Sequence, residues 1–272
     1  MKRIHSNNKS TVVLIFCLLV CLFAQAQDSL QQIKNMPLAA TFIQIDQLQQ
    51  LYVLKTDLSL IKFDAKGEQI FEYSNSLLGT PSFVDVTDPL NIALYYEDFQ
   101  TIVLLDRNLT ELQSISLFEL GFSQVSSIAI SNAQHIWLYD ETDFKFKKID
   151  RQGAAIFESG DISLGIGNSI RPATLMERDN KLFANDPAQG IFAFDLFGQY
   201  LYTIPIKALT HFQYFAQHLI YYQDHQLKKW GLSSKLEQTI IDLSKHKAVQ
   251  QVIFDQKGQF YLRKAAQVEV WR

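Results

Sequence analysis

Leu51-Tyr-Val-Leu-Lys-Thr, a polar break at Asp57, Leu60-Ile-Lys-Phe-Asp-Ala-Lys-Gly67 and Glu68-Gln-Ile-Phe-Glu-Tyr-Ser74 read as three short strands joined by two turns. Aromatic and β-branched side chains pack well on a pleated surface, which suits the apolar runs to strands. Asp64 can open a tight turn by capping its own backbone, and Gly67 can close it by accepting positive φ.

The same unit returns along the chain. Its second strand recurs as Leu51-Tyr-Val-Leu, Ile92-Ala-Leu-Tyr-Tyr, Ile136-Trp-Leu-Tyr, Leu182-Phe-Ala, Leu219-Ile-Tyr-Tyr and Phe260-Tyr-Leu, with starts 41, 44, 46, 37 and 41 residues apart. Turns follow at Asp64-Ala-Lys-Gly67, Asp106-Arg-Asn-Leu109, Asp150-Arg-Gln-Gly153, Asp195-Leu-Phe-Gly198 and, more loosely, Gly231-Leu-Ser-Ser234. A first strand precedes each unit and a fourth follows each turn. Four strands at a period near 42 residues predict blades packed radially, an arrangement that leaves few sheet edges open.

The fold expected is therefore all-β: a six-bladed β-propeller with four antiparallel strands per blade and negligible helix. The strands are apolar throughout instead of alternating, as befits strands buried on both faces. The sixth blade stops at Arg272 without an outer strand, while Ser29-Leu-Gln-Gln-Ile33 precedes the first blade with no blade of its own. Closure of the ring by this N-terminal strand would remove the last open edges.

The recurring turn, Phe63-Asp64-Ala-Lys-Gly67, Ile149-Asp150-Arg-Gln-Gly153, Phe194-Asp195-Leu-Phe-Gly198 and Phe254-Asp255-Gln-Lys-Gly258, resembles that of NHL-type and related six-bladed propellers of the bacterial cell envelope. The resemblance implies the architecture and carries no activity with it.

Residues 1–26 read as a secretory leader outside the fold: Lys2, Arg3 and Lys9, the apolar run Thr11 to Phe23, and Ala24-Gln25-Ala26 before the cut. The run is short for a membrane span, and no second one follows. A single propeller domain is expected over 27–272. Cys17 and Cys21 are the chain's two cysteines and both lie in the leader, so the mature chain carries no thiol for a disulfide, a nucleophile or a metal. The whole chain has 25 basic and 28 acidic residues; without the leader's three bases the balance is 22 against 28, or −6. Nucleic acid is excluded as a partner class, because phosphate binding needs concentrated Lys and Arg. At 47% hydrophobic and 19% charged, the chain has enough apolar material for a full core.

In a propeller, loops joining strands two and three share a face with the loops between blades. The former carry Asp57, Glu97 and Asp98, Asp140 with Glu141 and Asp143, Asp186, and Asp224. They read either as an electronegative rim for a cation or a basic partner or as ordinary turn chemistry. The inter-blade loops are apolar and uneven: Leu77 to Phe83, Phe118 to Phe122, and the longest, Asp161 to Pro172. Loops that vary on a repeated frame are where binding function resides. The residues singled out for partner binding are Phe83, Phe118, Phe122, Ile166, Arg171, Asp98, Asp140 and Asp186. The other reading of the apolar ones is a plug in the channel mouth.

No catalytic residue, metal site or cofactor is assigned. Gly165 and Gly167 lack the third glycine and the strand–helix context of a nucleotide loop, and there is no Gly-x-Ser-x-Gly elbow. His211, His218, His225 and His246 are spaced for a zinc site only if loop geometry cooperates, and scattered surface histidine is the simpler reading. Asp85 and Glu177 are acids on inner strands that could face one channel. The expectation is an exported, non-enzymatic propeller acting as a protein-interaction or scaffold module with envelope protein partners, a monomeric domain within a complex and without a membrane span. The alternative is a metal-assisted hydrolase or lyase, or a glycan-binding propeller, using the channel mouth.

Overall fold

The computed structural model describes residues 30–131, 135–255 and 257–272. The leader expected over 1–26, both cysteines and Ser29 lie outside them. Six four-stranded antiparallel sheets form the fold. Blades 1 to 5 each use four consecutive strands, beginning at Ala40, Phe83, Val125, Thr174 and Gln213. Blade 6 is completed from the other end of the chain: Gln32–Met36 lies outside Val268–Trp271, which pairs with Phe260–Arg263 and then Gln251–Phe254.

The closing strand lies a few residues further along than the Ser29–Ile33 expected. Its register sets Met36 against Val268, Asn35 against Glu269 and Lys34 against Val270. Gln31 and Arg272 exchange both backbone hydrogen bonds, at 2.8 and 3.0 Å. Burial explains the register. Met36 and Val268 pack into the apolar layer between blades 6 and 1, whereas Ile33 remains half exposed.

The core consists of six such layers, one between each pair of neighbouring blades. A strand between two layers is buried on both faces, and every residue of Asn91–Tyr96 and Val125–Ile130 is buried accordingly. Outer strands such as Gln69–Tyr73 have one free face and turn polar.

The Asp turns form as read. Asp64 Oδ1 accepts from the N–H groups of Lys66 and Glu68, both at 2.9 Å, and Gly67 has φ 78°. Asp106, Asp195 and Asp255 repeat the pattern. Leu109 occupies the glycine position of its turn at φ 60°. That conformation is unfavourable for leucine, and burial of its side chain between blades 1 and 2 offsets the strain.

Helix among the described residues is confined to the single turn Glu97–Phe99 and to Ile162–Ile166. The second lies in the long inter-blade loop. Asp161 caps it by accepting from Ser163 N, and Gly167 ends it at φ 82°. No helix among the described residues is long and apolar enough to cross a membrane.

Candidate functional site: a charged cleft on the inter-blade loop face

The loops between strands two and three meet the inter-blade loops, and around blade 3 they enclose an open cleft of about 730 Å³. Glu97 comes from blade 2, Glu141 and Phe144 from blade 3, and Asp186 to Gln189 from blade 4. Gln124 leads into blade 3, Ser126 lies in that blade's first strand, and Ser169 to Ala173 lead into blade 4.

Arg171 is the centre of charge. Its Nη2 lies 3.0 Å from Glu97 Oε1 and its Nε 3.0 Å from Glu141 Oε1. The two carboxylates, Glu141 foremost, hold the guanidinium's pKa above its ordinary value. Its side chain is nonetheless 72% exposed, whereas that of Glu141 is 19% exposed. Ile170 fixes the approach by burying beside blade 3, where its carbonyl accepts from the Tyr139 hydroxyl at 3.1 Å.

The other acids of this face differ in kind. Asp186 is buried and accepts from Arg171 N, Ala188 N and Gln189 Nε2 at 3.0, 2.8 and 2.9 Å. Asp140 is also buried; it accepts from Thr142 N at 3.0 Å and Lys147 Nζ at 2.8 Å. Burial raises its pKa, and the Lys147 and Thr142 bonds outweigh burial, leaving it lowered. Asp98 stands exposed in the turn after blade 2's second strand. Turn chemistry therefore accounts for Asp140 and Asp186, and the carboxylates open to the cleft are Glu97 and Glu141.

The apolar candidates also divide. Phe118 is 55% exposed. Phe122 packs against the layer between blades 2 and 3, with Lys147 Nζ 5.4 Å from its ring centre. Ile166 packs against the layer between blades 3 and 4. Phe83 packs against the blade 2–3 layer and lines the central channel. Sequence reading placed Glu97 and Glu141 on the acidic rim and Arg171 among the binding residues but did not pair them, because Glu97 lies 74 residues from Arg171 in sequence. It named the loops that carry Leu77 and Leu164 without singling out either residue, and both are more than four-fifths exposed.

The channel is a separate cavity of about 340 Å³ lined by the inner strands of blades 1, 2, 4, 5 and 6. Asp85 and Glu177 both border it, and both are tied to blade 3. Asp85 accepts from Ile130 N at 3.0 Å, and Glu177 from Trp137 Nε1 at 2.5 Å. Arg178 Nη2 donates to Thr87 Oγ1 at 2.8 Å, linking blade 4 to blade 2 at one end of the channel. His211 borders it too, edge-on to Phe42 at 5.0 Å. Burial, aided by the positive charge of Arg263, lowers its pKa to about 4. The other described histidines, His135, His218, His225 and His246, do not line it: His218 Nδ1 contacts Ala216 O, His225 contacts Tyr222 and His246 meets Trp271 edge-on. Among the described residues, no group of three or more His, Cys, Asp or Glu side chains could hold a metal ion.

No family profile and no curated protein sequence matches the chain. Solved structures do. The virginiamycin B lyase from Staphylococcus aureus aligns at TM-score 0.57 and 10% identity over 89% of this chain and 99% of that one. BamB from Moraxella catarrhalis aligns at 0.54 and 13% identity over 90% and 98%. The WD40 domain of Neurospora crassa Pan2 aligns at 0.60 and 9% identity over 89% and 94%. At such identities the likeness carries the propeller fold and nothing finer.

Proposed function

We propose that this chain is an exported, non-enzymatic β-propeller that serves the cell envelope as a protein-interaction or scaffold module, docking through its inter-blade loop face. One observation carries the reading: exposed apolar side chains stand on the same set of loops as a charged cleft. Leu77 is 85% exposed, Phe118 55% and Leu164 82%, and the cleft with Arg171 lies among the same set of loops. Apolar contacts supply affinity in such an arrangement, and a charged centre sets orientation. Buried anchors stiffen the frame, since Ile162 and Ile170 pin both ends of the longest loop.

The channel is less suited to hydrolysis or lyase chemistry. Its carboxylates Asp85 and Glu177 engage the neighbouring blade, so recruiting either for acid–base work would loosen blade packing.

The test is co-purification from envelope extract with the full chain, with the 161–172 loop shortened, and with Phe118→Ser and Leu164→Ser combined. A partner captured by the full chain and lost from both variants supports the reading; capture undiminished by either sinks the choice of surface. N-terminal sequencing of the exported protein checks cleavage before Gln27.

A further inference from the structure

The cleft carries more negative charge than it neutralises. Glu97, Glu141 and Asp186 line it against a single cation, Arg171. Its guanidinium hydrogen-bonds Glu97 and ion-pairs with Glu141, and the side chain is largely in solvent. Deeper in, Ser126 is 7% exposed, and its Oγ is buried with no hydrogen-bond partner in the protein.

Ser126 is placed there by a β-bulge. Val125 pairs with Asp140 and Ser127 with Tyr139, so the ladder skips Ser126. A bulge leaves one residue outside the pairing and re-aims its side chain. A buried hydroxyl without a partner is costly, and here it lines a cavity that opens beside two carboxylates. Phe144, Pro172 and Pro187 complete the lining with apolar surface.

An anion approaching this cleft would meet a net negative field. A cation would find two carboxylates, a hydroxyl acceptor and an apolar wall for an aliphatic stem. We propose that the cleft receives a lysine or arginine side chain from a protein partner, with Arg171 occupying that position in the free protein and yielding it on binding. This rests on the docking reading above and names the group that the surface recognises. Arg171 then acts as an internal competitor: its guanidinium pairs with Glu97 and Glu141 until a partner's cation replaces it. Long charged side chains suit the site because they bury the stem while the head finds its counter-ion.

The test uses the full chain and two synthetic heptapeptides, Ala-Ala-Ala-Arg-Ala-Ala-Ala and the same peptide with citrulline in place of arginine, both with blocked ends. Citrulline keeps shape and removes charge. NMR titration should show saturable shifts around Ser126 and Glu141 with the arginine peptide, and binding at least roughly fivefold weaker with citrulline, as loss of a charge-assisted bond implies. Glu141→Gln should weaken the arginine peptide by a similar factor. Arg171→Ala should tighten it several-fold, because the competitor is gone; a merely structural arginine would not produce that gain. Arg171 is exposed, so this variant should unfold at the wild-type temperature. Arg171→Met serves as the second variant should alanine disturb the loop.

Equal binding of both peptides, binding at neither, or weaker binding to both Arg171 variants overturns the proposal. The two readings fail separately. Loss of the envelope partner on loop shortening together with no peptide discrimination leaves docking intact and removes the cation pocket. Peptide discrimination together with unchanged partner capture does the reverse.

Discussion

The side-chain amide of Gln251 pairs with the backbone of Ile43, accepting from its N–H at 3.0 Å and donating to its carbonyl at 2.8 Å. The two residues are 208 positions apart, on the inner strands of blades 6 and 1. Gln213 holds Phe254 the same way between blades 5 and 6. Gln100 does so for Val125 between blades 2 and 3. Neighbouring blades share no backbone ladder, so these amides supply hydrogen bonds that the sheets cannot.

Gln251→Leu removes both bonds and leaves the N–H and carbonyl of Ile43 buried without that partner. The expected loss is about 2–4 kcal/mol. Urea unfolding should show a lower midpoint at an unchanged slope. A midpoint equal to wild type would show that the clasp contributes nothing to ring closure.

A chain beginning at Leu38 lacks the strand Gln32–Met36. It exposes the edge of Val268–Trp271 and removes Met36 from the layer between blades 6 and 1. An open edge with apolar strands invites pairing between molecules. The expected outcome is a broader, lower thermal transition and oligomers on size-exclusion chromatography. A monomer with an unchanged transition would mean that the closing strand is dispensable.

His211 makes stability depend on pH. Its folded-state pKa, lowered to about 4 by burial, lies below the ordinary 6.5. The unfolded chain therefore binds the extra proton between those values. Stability is complete above about pH 6.5 and falls as pH drops toward 4, with a loss on the order of 1–2 kcal/mol by pH 5 from this group. His211→Phe should flatten the profile over that window relative to wild type. Parallel profiles for the two proteins would refute the assignment.

Two glycines at positive φ should behave differently. A Cβ at Gly190 would stand 2.6 Å from the Ile204 carbonyl oxygen, while one at Gly79 would meet nothing within 4 Å. Gly190→Ala should cost about 2–4 kcal/mol, since backbone must move as well as adopt a strained φ, and Gly79→Ala about 1 kcal/mol. Thermal unfolding of both variants checks the order, and equal losses would contradict it.

The repeat was legible because propeller blades are local. Each turn such as Asp64 to Gly67 satisfies its own backbone within five residues, and each strand between two blades must be apolar on both sides. Those demands recur with the blade and leave a periodic trace. The missing outer strand of blade 6 was legible for the same reason, as a gap in the period.

What a period cannot carry is the meeting of residues from different repeats. Arg171 with Glu97 and Glu141, Gln251 with Ile43, and Arg178 with Thr87 are pairings set by the curvature of the ring and the twist of each sheet. The linear order of residues specified the blades, their number and the closing strand, because hydrogen-bonded neighbours there are chain neighbours or the two free ends. Only the closed ring decided which acids open to a cleft and which cap their own turns, since identical Asp and Glu side chains differ by burial and by partners from distant blades. It also decided that the inner-strand acids Asp85 and Glu177 hold blade 3 in place, which no local pattern encodes.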